Sequence, residues 1–335
     1  MKTTPYVICL LALLPFTARA AASAAADATV AQDGSGQYTS IQDAIEHSPH
    51  RSSKNDKRWV ILVKNGTYHE LVYIQREYLN LAIIGEDADH TILTNDLNSK
   101  MVGLDGKPIG TFGTPTLHVD SDGAIFENLT VSNTAAPGVG QALALRVDAD
   151  RVVFRGCKFI GFQDTVLLNR GRQYFEGCTI QGLVDFIFGG STAFFEHCSI
   201  ICLHTIYTGF VTAASTPEDQ PFGFVFRDCT ISGPVPDGRS ALGRPWREYA
   251  KVVYINTNMS GVISPAGWDN WDSAANEKSV FYAEYNSTGA GANPGSRPSW
   301  IKRLTEQQAA EYTIANVLGG DDRWKPAPSI APAAK

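Results

Sequence analysis

The chain has 335 residues, of which 19% are charged, and a formal net charge of −6. That balance leaves no basic patch for nucleic acid and repels polyanions, and the charged fraction is too small for a disordered chain. At this length two domains would be usual, unless the chain is a solenoid, which runs longer as one unit.

Residues 1–20 have the pattern of a secretory signal peptide. Lys2 opens a short basic region, residues 7–16 are apolar apart from Pro15, and Ala18-Arg19-Ala20 is a small-x-small cleavage site. The apolar run is shorter than the ~18 residues that span a bilayer, and no other stretch is a candidate span, so the protein is expected outside the cell, with no membrane partner. Residues 21–335 are then one domain. Export fits four glycosylation sequons, at Asn65, Asn128, Asn258 and Asn286; Asn128 and Asn258 fall inside strand-like repeats.

Residues 21–28 are a low-complexity spacer, and Asp33-Gly34-Ser35-Gly36 is a turn. Thr39 or Ser40 caps a short helix reaching His47. Residues 59–63 (WVILV) and 79–84 read as strands, with a turn at Asn65-Gly66 between them.

From Phe126 onward a repeat dominates. Phe154 opens FRGCKFIG, Phe175 FEGCTIQG, Phe195 FEHCSIIC and Phe226 FRDCTISG; Phe126 and Tyr254 open weaker copies. Each phrase alternates apolar and polar residues and usually ends in Gly or Asn, so each is a short strand and a turn. Units of about 20 to 30 residues with this content predict an all-β, right-handed parallel β-helix with short capping helices and phenylalanines stacked inside. The open ends of such a helix need cover. The helix at 40–47 suits one end. A second helix over 305–318, starting at Thr305 and stopped by Gly319-Gly320, suits the other end or the flank.

Five cysteines remain once Cys9 leaves with the signal, and Cys157, Cys178, Cys198 and Cys229 share one repeat position. Rungs about 4.8 Å apart suit disulfide Cα distances. One bridge is expected, Cys157–Cys178, against the alternative that all are buried thiols. No zinc-type spacing of Cys or His is present, and no metal or other cofactor is expected.

An aspartate follows two of the phrases at the same offset: Asp164 lies ten residues after Phe154, and Asp185 ten after Phe175. On neighbouring rungs they stand about 5 Å apart, and carboxylates that close separate into acid and base roles. A lone aspartate there would more often be a turn residue; the matched pair makes chemistry an equal contender. No Gly-x-Ser-x-Gly elbow and no His-Glu-x-x-His occurs.

Five further phrases stand in order along the chain: Gly66-Thr67-Tyr68-His69-Glu70, Gln141-Ala142-Leu143-Ala144-Leu145-Arg146, Gly161-Phe162-Gln163-Asp164-Thr165, Asp185-Phe186-Ile187-Phe188-Gly189 and Leu242-Gly243-Arg244-Pro245-Trp246. With them the chain resembles the pectinesterases, over residues 30–325. It departs from the family pattern at Leu183, where Thr is usual, and at Leu143, where Val is usual; neither touches the chemistry. The resemblance implies a secreted, monomeric esterase that hydrolyses methyl esters of homogalacturonan to pectate and methanol. It implies Asp185 as nucleophile, Arg244 as its partner, Asp164 as general acid and then base, and Gln141 and Gln163 as oxyanion donors. Trp246, Phe188 and Thr111 are implied as substrate contacts. Trp268 and Trp271 extend the platform or pack inside. On this assignment Arg244 lowers the Asp185 pKa, and Asp164, desolvated beside a charge, has a raised one. A retaining glycosidase also uses carboxylates about 5 Å apart, and a non-catalytic carbohydrate-binding solenoid is a third possibility. An arginine paired with the nucleophile and two amide donors suit an oxyanion mechanism better. The acidic balance predicts a weak hold on the demethylated product, hence dispersed rather than blockwise demethylation.

Overall fold

Each phenylalanine-led phrase folds into a strand, one left-handed turn residue and a second strand, as in Val152–Arg155, Gly156 and Lys158–Ile160. The structure, a computed structural model, describes residues 26–50, 57–204 and 206–331; the expected signal peptide lies outside the described residues. The turn residues form a column: Asn128, Gly156, Gly177, His197, Asp228, Asn256 and Asn286, with φ between 51° and 60°. Left-handed backbone is open to Gly and tolerated by Asn, Asp and His, which explains why the third letter of the phrase varies among these types. Side chains add a ladder where they have the atoms: Asn256 Nδ2 donates to Asp228 Oδ1 at 2.9 Å, and Asn286 Nδ2 to Asn256 Oδ1 at 3.0 Å.

A third strand closes each coil, so the chain winds through parallel sheets of 11, 8 and 7 strands. This is the expected right-handed parallel β-helix. Phe126, Phe154, Phe175, Phe195, Phe226 and Tyr254 are register partners in turn. Their rings stack with centroids 5.0, 4.7, 4.7, 4.4 and 4.6 Å apart. Each buried ring contributes about 1.5–3 kcal/mol and each ring pair about 0.5–1.5 kcal/mol more. The column is thus both core and register key: a slipped strand would put a ring opposite a gap.

Three expectations need correction. First, the five cysteines are free and buried, with no Cys157–Cys178 bridge. In-register parallel neighbours project their side chains in the same direction, so the thiols of Cys157, Cys178, Cys198 and Cys229 stack in one column as hydrogen-bonding neighbours rather than as a bonded pair. Three of them face a carbonyl of the coil before: Cys178 Sγ lies 3.5 Å from Phe154 O, Cys198 Sγ 3.6 Å from Phe175 O and Cys229 Sγ 3.5 Å from Phe195 O. Second, the helix expected over 305–318 is two, Glu306–Ala310 and Ile314–Leu318, each capped by a threonine, Thr305 and Thr313. The break turns Tyr312 against Phe222, and its carbonyl accepts from Arg227 Nη1 at 3.0 Å, while Val317 and Leu318 reach the outer face of the long sheet. Third, the strand expected over 79–84 is Leu81–Gly85. The strand Trp59–Val63 and the helix Ile41–Glu46, capped by the Ser40 side chain, match their expectations. That helix buries Ile41, Ala44 and Ile45 against the first coil and so covers one open end.

Candidate active site

The seven-stranded sheet carries the site. Across it, one register row runs Tyr73, His118, Arg146, Leu167, Phe188, Ala213 and Arg244. The neighbouring positions Val166, Leu168 and Ile187 belong to the interior core, so strand alternation turns this row outward. Asp164 and Asp185 lie just before the strands Val166–Leu168 and Ile187–Gly189, whose register pairs Val166 with Ile187. Both aspartates have left-handed backbone, φ 64° and 53°, and the Asp164 N–H donates to the Val184 carbonyl at 3.0 Å. The 21-residue repeat therefore puts the carboxyl groups side by side on successive coils. A left-handed turn that Asp tolerates aims each out of the strand line.

Two coils further on, Arg244 in Ser240–Pro245 reaches back to Asp185. Nε lies 2.8 Å from Oδ1 and Nη2 2.6 Å from Oδ2, a bidentate pair, the geometry in which guanidinium holds carboxylate most firmly. Gln141, Gln163, Thr111, Phe188 and Trp246 join the two aspartates and Arg244 around one cleft of about 290 Å³, with Phe112, Ala213 and Trp271 completing it. All eight residues singled out from the sequence thus meet in one place. The Gln141 carbonyl oxygen accepts from Ser99 Oγ at 2.7 Å, which turns its NH₂ away from Ser99. Phe188 and Trp246 meet edge-on, centroids 5.7 Å apart.

Electrostatics separates the two carboxyls. Burial, then the charge of Asp185, pushes Asp164 up to about 8, with Arg244 pulling weakly the other way. Asp185 departs from expectation. Its pKa is raised rather than lowered, because burial outweighs the hydrogen bonds and charge of Arg244, and Asp269 adds to the rise. Only Asp185 has a cation bonded to it, so of the two carboxyls Asp185 is better placed to hold a negative charge and Asp164 to hold a proton.

The tryptophans divide. Trp268 is core, stacked on Tyr282 at 4.5 Å with Nε1 donating to Glu284, whereas Trp271 lines the cleft and is 37% exposed. Ser99, Phe210, Ala213 and Asp269 were not legible as site residues. Phe210 and Ala213 lie on Gly209–Ala214, a strand with no phrase or motif of its own. At the far end of the row, His118 Nε2 lies 3.0 Å from Asp148 Oδ2 and 3.5 Å from Asp120 Oδ1. These three residues could together ligate a cation, but Arg146 Nε already sits 2.5 Å from Asp148 Oδ2, so the cluster has its positive charge.

A parallel β-helix whose outer face carries paired carboxyls, an arginine and two amide side chains in a cleft defines the class: a carboxylic ester hydrolase. The Pectinesterase family model matches residues 27–321, and the chain belongs to the pectinesterase family. It is 40% identical over 288 residues to Pectinesterase 31 of Arabidopsis thaliana, covering 84% of this chain and 89% of that one. It is 39% identical over 307 residues to Probable pectinesterase/pectinesterase inhibitor 6 of the same plant, covering 89% of this chain but only 53% of that longer relative. Among solved structures, the pectin methylesterase from carrot superposes with a TM-score of 0.83 at 32% identity, covering 90% of this chain and 96% of that one. A pectin methylesterase in complex with a hexasaccharide superposes with a TM-score of 0.78 at 29% identity, covering 91% and 100%.

Proposed function

We propose that this pectinesterase is a secreted, monomeric enzyme that hydrolyses methyl esters of homogalacturonan through Asp185 as nucleophile. The observation that carries the reading is the bidentate Arg244–Asp185 pair with Asp164, whose pKa burial and Asp185 push up to about 8, beside it. A carboxylate oxygen of Asp185 attacks the C6 carbonyl of a methyl galacturonate unit, forming a C–O bond and an oxyanion. The side-chain NH₂ groups of Gln141 and Gln163 donate to that oxyanion. Collapse breaks the bond to methoxide, which takes the Asp164 proton and leaves as methanol. Asp164, now a carboxylate, removes a proton from water, and the hydroxide attacks the acyl carbon. Asp185 departs as a carboxylate, again bonded to Arg244, and Asp164 is again protonated. Ester and water thus give acid and methanol.

Thr111, Phe188 and Trp246 supply the contacts for the chain of sugars. Export would expose the sequon asparagines Asn65 and Asn286, which lie at the surface. The test is methanol release and chain length measured together on highly methylated pectin. Methanol without shortening supports the reading. Shortening without methanol would mark a glycosidase, and binding without turnover a lectin-like solenoid.

A further inference from the structure

Asp185 grips Arg244 by its edge, and the two faces of the same guanidinium are covered as well. The Phe210 ring centroid lies 3.9 Å from Cζ, and the Trp271 ring centroid also 3.9 Å. Two rings cannot share one face at that distance, so they close on it from opposite sides. Phe210 is nearly buried, at 8% exposure, whereas Trp271 is 37% exposed and forms the solvent side.

The turn that delivers Trp271 is strained. Trp271 and Asp272 both have left-handed backbone, φ 56° and 53°, a conformation that bulky side chains avoid and that persists where surroundings enforce it. Here Asp269 enforces it. Its Oδ1 accepts from the Trp271 N–H at 2.7 Å, and its own N–H donates to the Gly243 carbonyl at 3.1 Å, one residue from Arg244. The turn is thus tied to the strand that carries the arginine.

We propose that Phe210 and Trp271 are positioning residues, a two-sided aromatic clamp that fixes Arg244 against Asp185, and that this is the main contribution of Trp271 to the reaction. The inference rests on the reading of Asp185 as nucleophile. A cation between two ring faces is attracted to both and shielded from water on both, and its free motion is reduced to the plane in which it meets the carboxylate. Without the outer ring the guanidinium swings toward solvent, and Asp185 keeps Asp164 and Asp269 as neighbours without a fixed cation. Its carboxyl then takes up a proton at higher pH and is less well aimed.

The test is the pH dependence of kcat and KM on methylated pectin for Trp271→Leu, Trp271→Phe and Phe210→Leu. Trp271→Leu should lower kcat about tenfold, the loss of one such contact, and move the acidic limb of the kcat profile up by about one pH unit, with KM within about twofold. Trp271→Phe should restore most of both. Phe210→Leu, read beside its thermal midpoint because the site is buried, should move the limb in the same direction. A rise in KM with the limb in place would mean that Trp271 only stacks on sugar, and a fall in kcat without a limb shift would equally overturn the clamp. Asp185→Asn in the same series tells the two failures apart. If it still turns over, the nucleophile assignment has failed; if it is inert while the Trp271 limb stays put, the clamp alone has failed.

Discussion

Replacing Asp164 with asparagine should damage the reaction and stabilise the fold, and the stabilisation should depend on pH. The Asp164 pKa is raised from 3.8 to about 8 by burial and by Asp185, whereas in the unfolded chain it titrates near ~3.9. Between those values the unfolded state releases a proton that the folded state keeps. Stability is therefore whole below about pH 4 and is lost as pH rises toward 8, at up to about 1.4 kcal/mol per pH unit. Asparagine has no proton to lose, fits the same left-handed backbone, and resembles the protonated acid in size and polarity. Relative to wild type, Asp164→Asn should be nearly neutral at pH 4 and more stable at pH 7 by up to about 4 kcal/mol, three pH units at that slope. Denaturant unfolding at both values, with activity measured alongside, is the assay. The activity loss expected for a missing general acid is about 10²–10⁴-fold. An equal effect on stability at pH 4 and pH 7, or a loss of stability at pH 7, would refute the reasoning that Asp164 holds a proton in a buried, charged neighbourhood.

Gln141→Leu should lower kcat by about 10²–10³-fold with KM little changed, because an oxyanion donor acts mainly in the transition state; a change confined to KM would make Gln141 a sugar contact. Turnover should survive excess chelator, since the proton on Asp164 and the guanidinium on Asp185 already balance the carboxyls in the cleft; loss of methanol release restored only by added metal would contradict this. Phe175→Ala, in the middle of the ring stack, should cost about 3–5 kcal/mol, and a fall in unfolding free energy of under about 1 kcal/mol would show that the stack does not hold the coils in register.

The coil architecture was legible because one constraint recurs on successive rungs. An interior ring, a left-handed turn residue and a small buried thiol must stack on their own kind, so the phrase around Phe154 repeats at Phe175, Phe195 and Phe226. The site was legible where it borrows that repeat, as at Asp164 and Asp185, or where a motif marks it, as at Arg244. It was not legible where a residue acts only through long-range placement. Nothing around Phe210 or Ala213 marks those positions as lining the cleft, since the strand that carries them is buried along its whole length and belongs to no repeated phrase, and its register with Arg244 comes from closing a coil with long loops. Trp268 and Trp271 sit three residues apart in equally polar surroundings, and only the turn at Asp269 decides that one faces in and the other out. The raised Asp185 pKa is not legible in the sequence for a related reason. The ion pair could be expected from motif and family, but the depth of burial that outweighs it is a property of the packed coils.

The division of labour between the two adjacent carboxyl groups is tested most directly by an ester with a better leaving group than methanol. Such a group departs with little protonation, so single-turnover acylation should recover in Asp164→Asn and stay absent in Asp185→Asn. Rescue in Asp185→Asn, with Asp164→Asn remaining inert, would reverse the two roles.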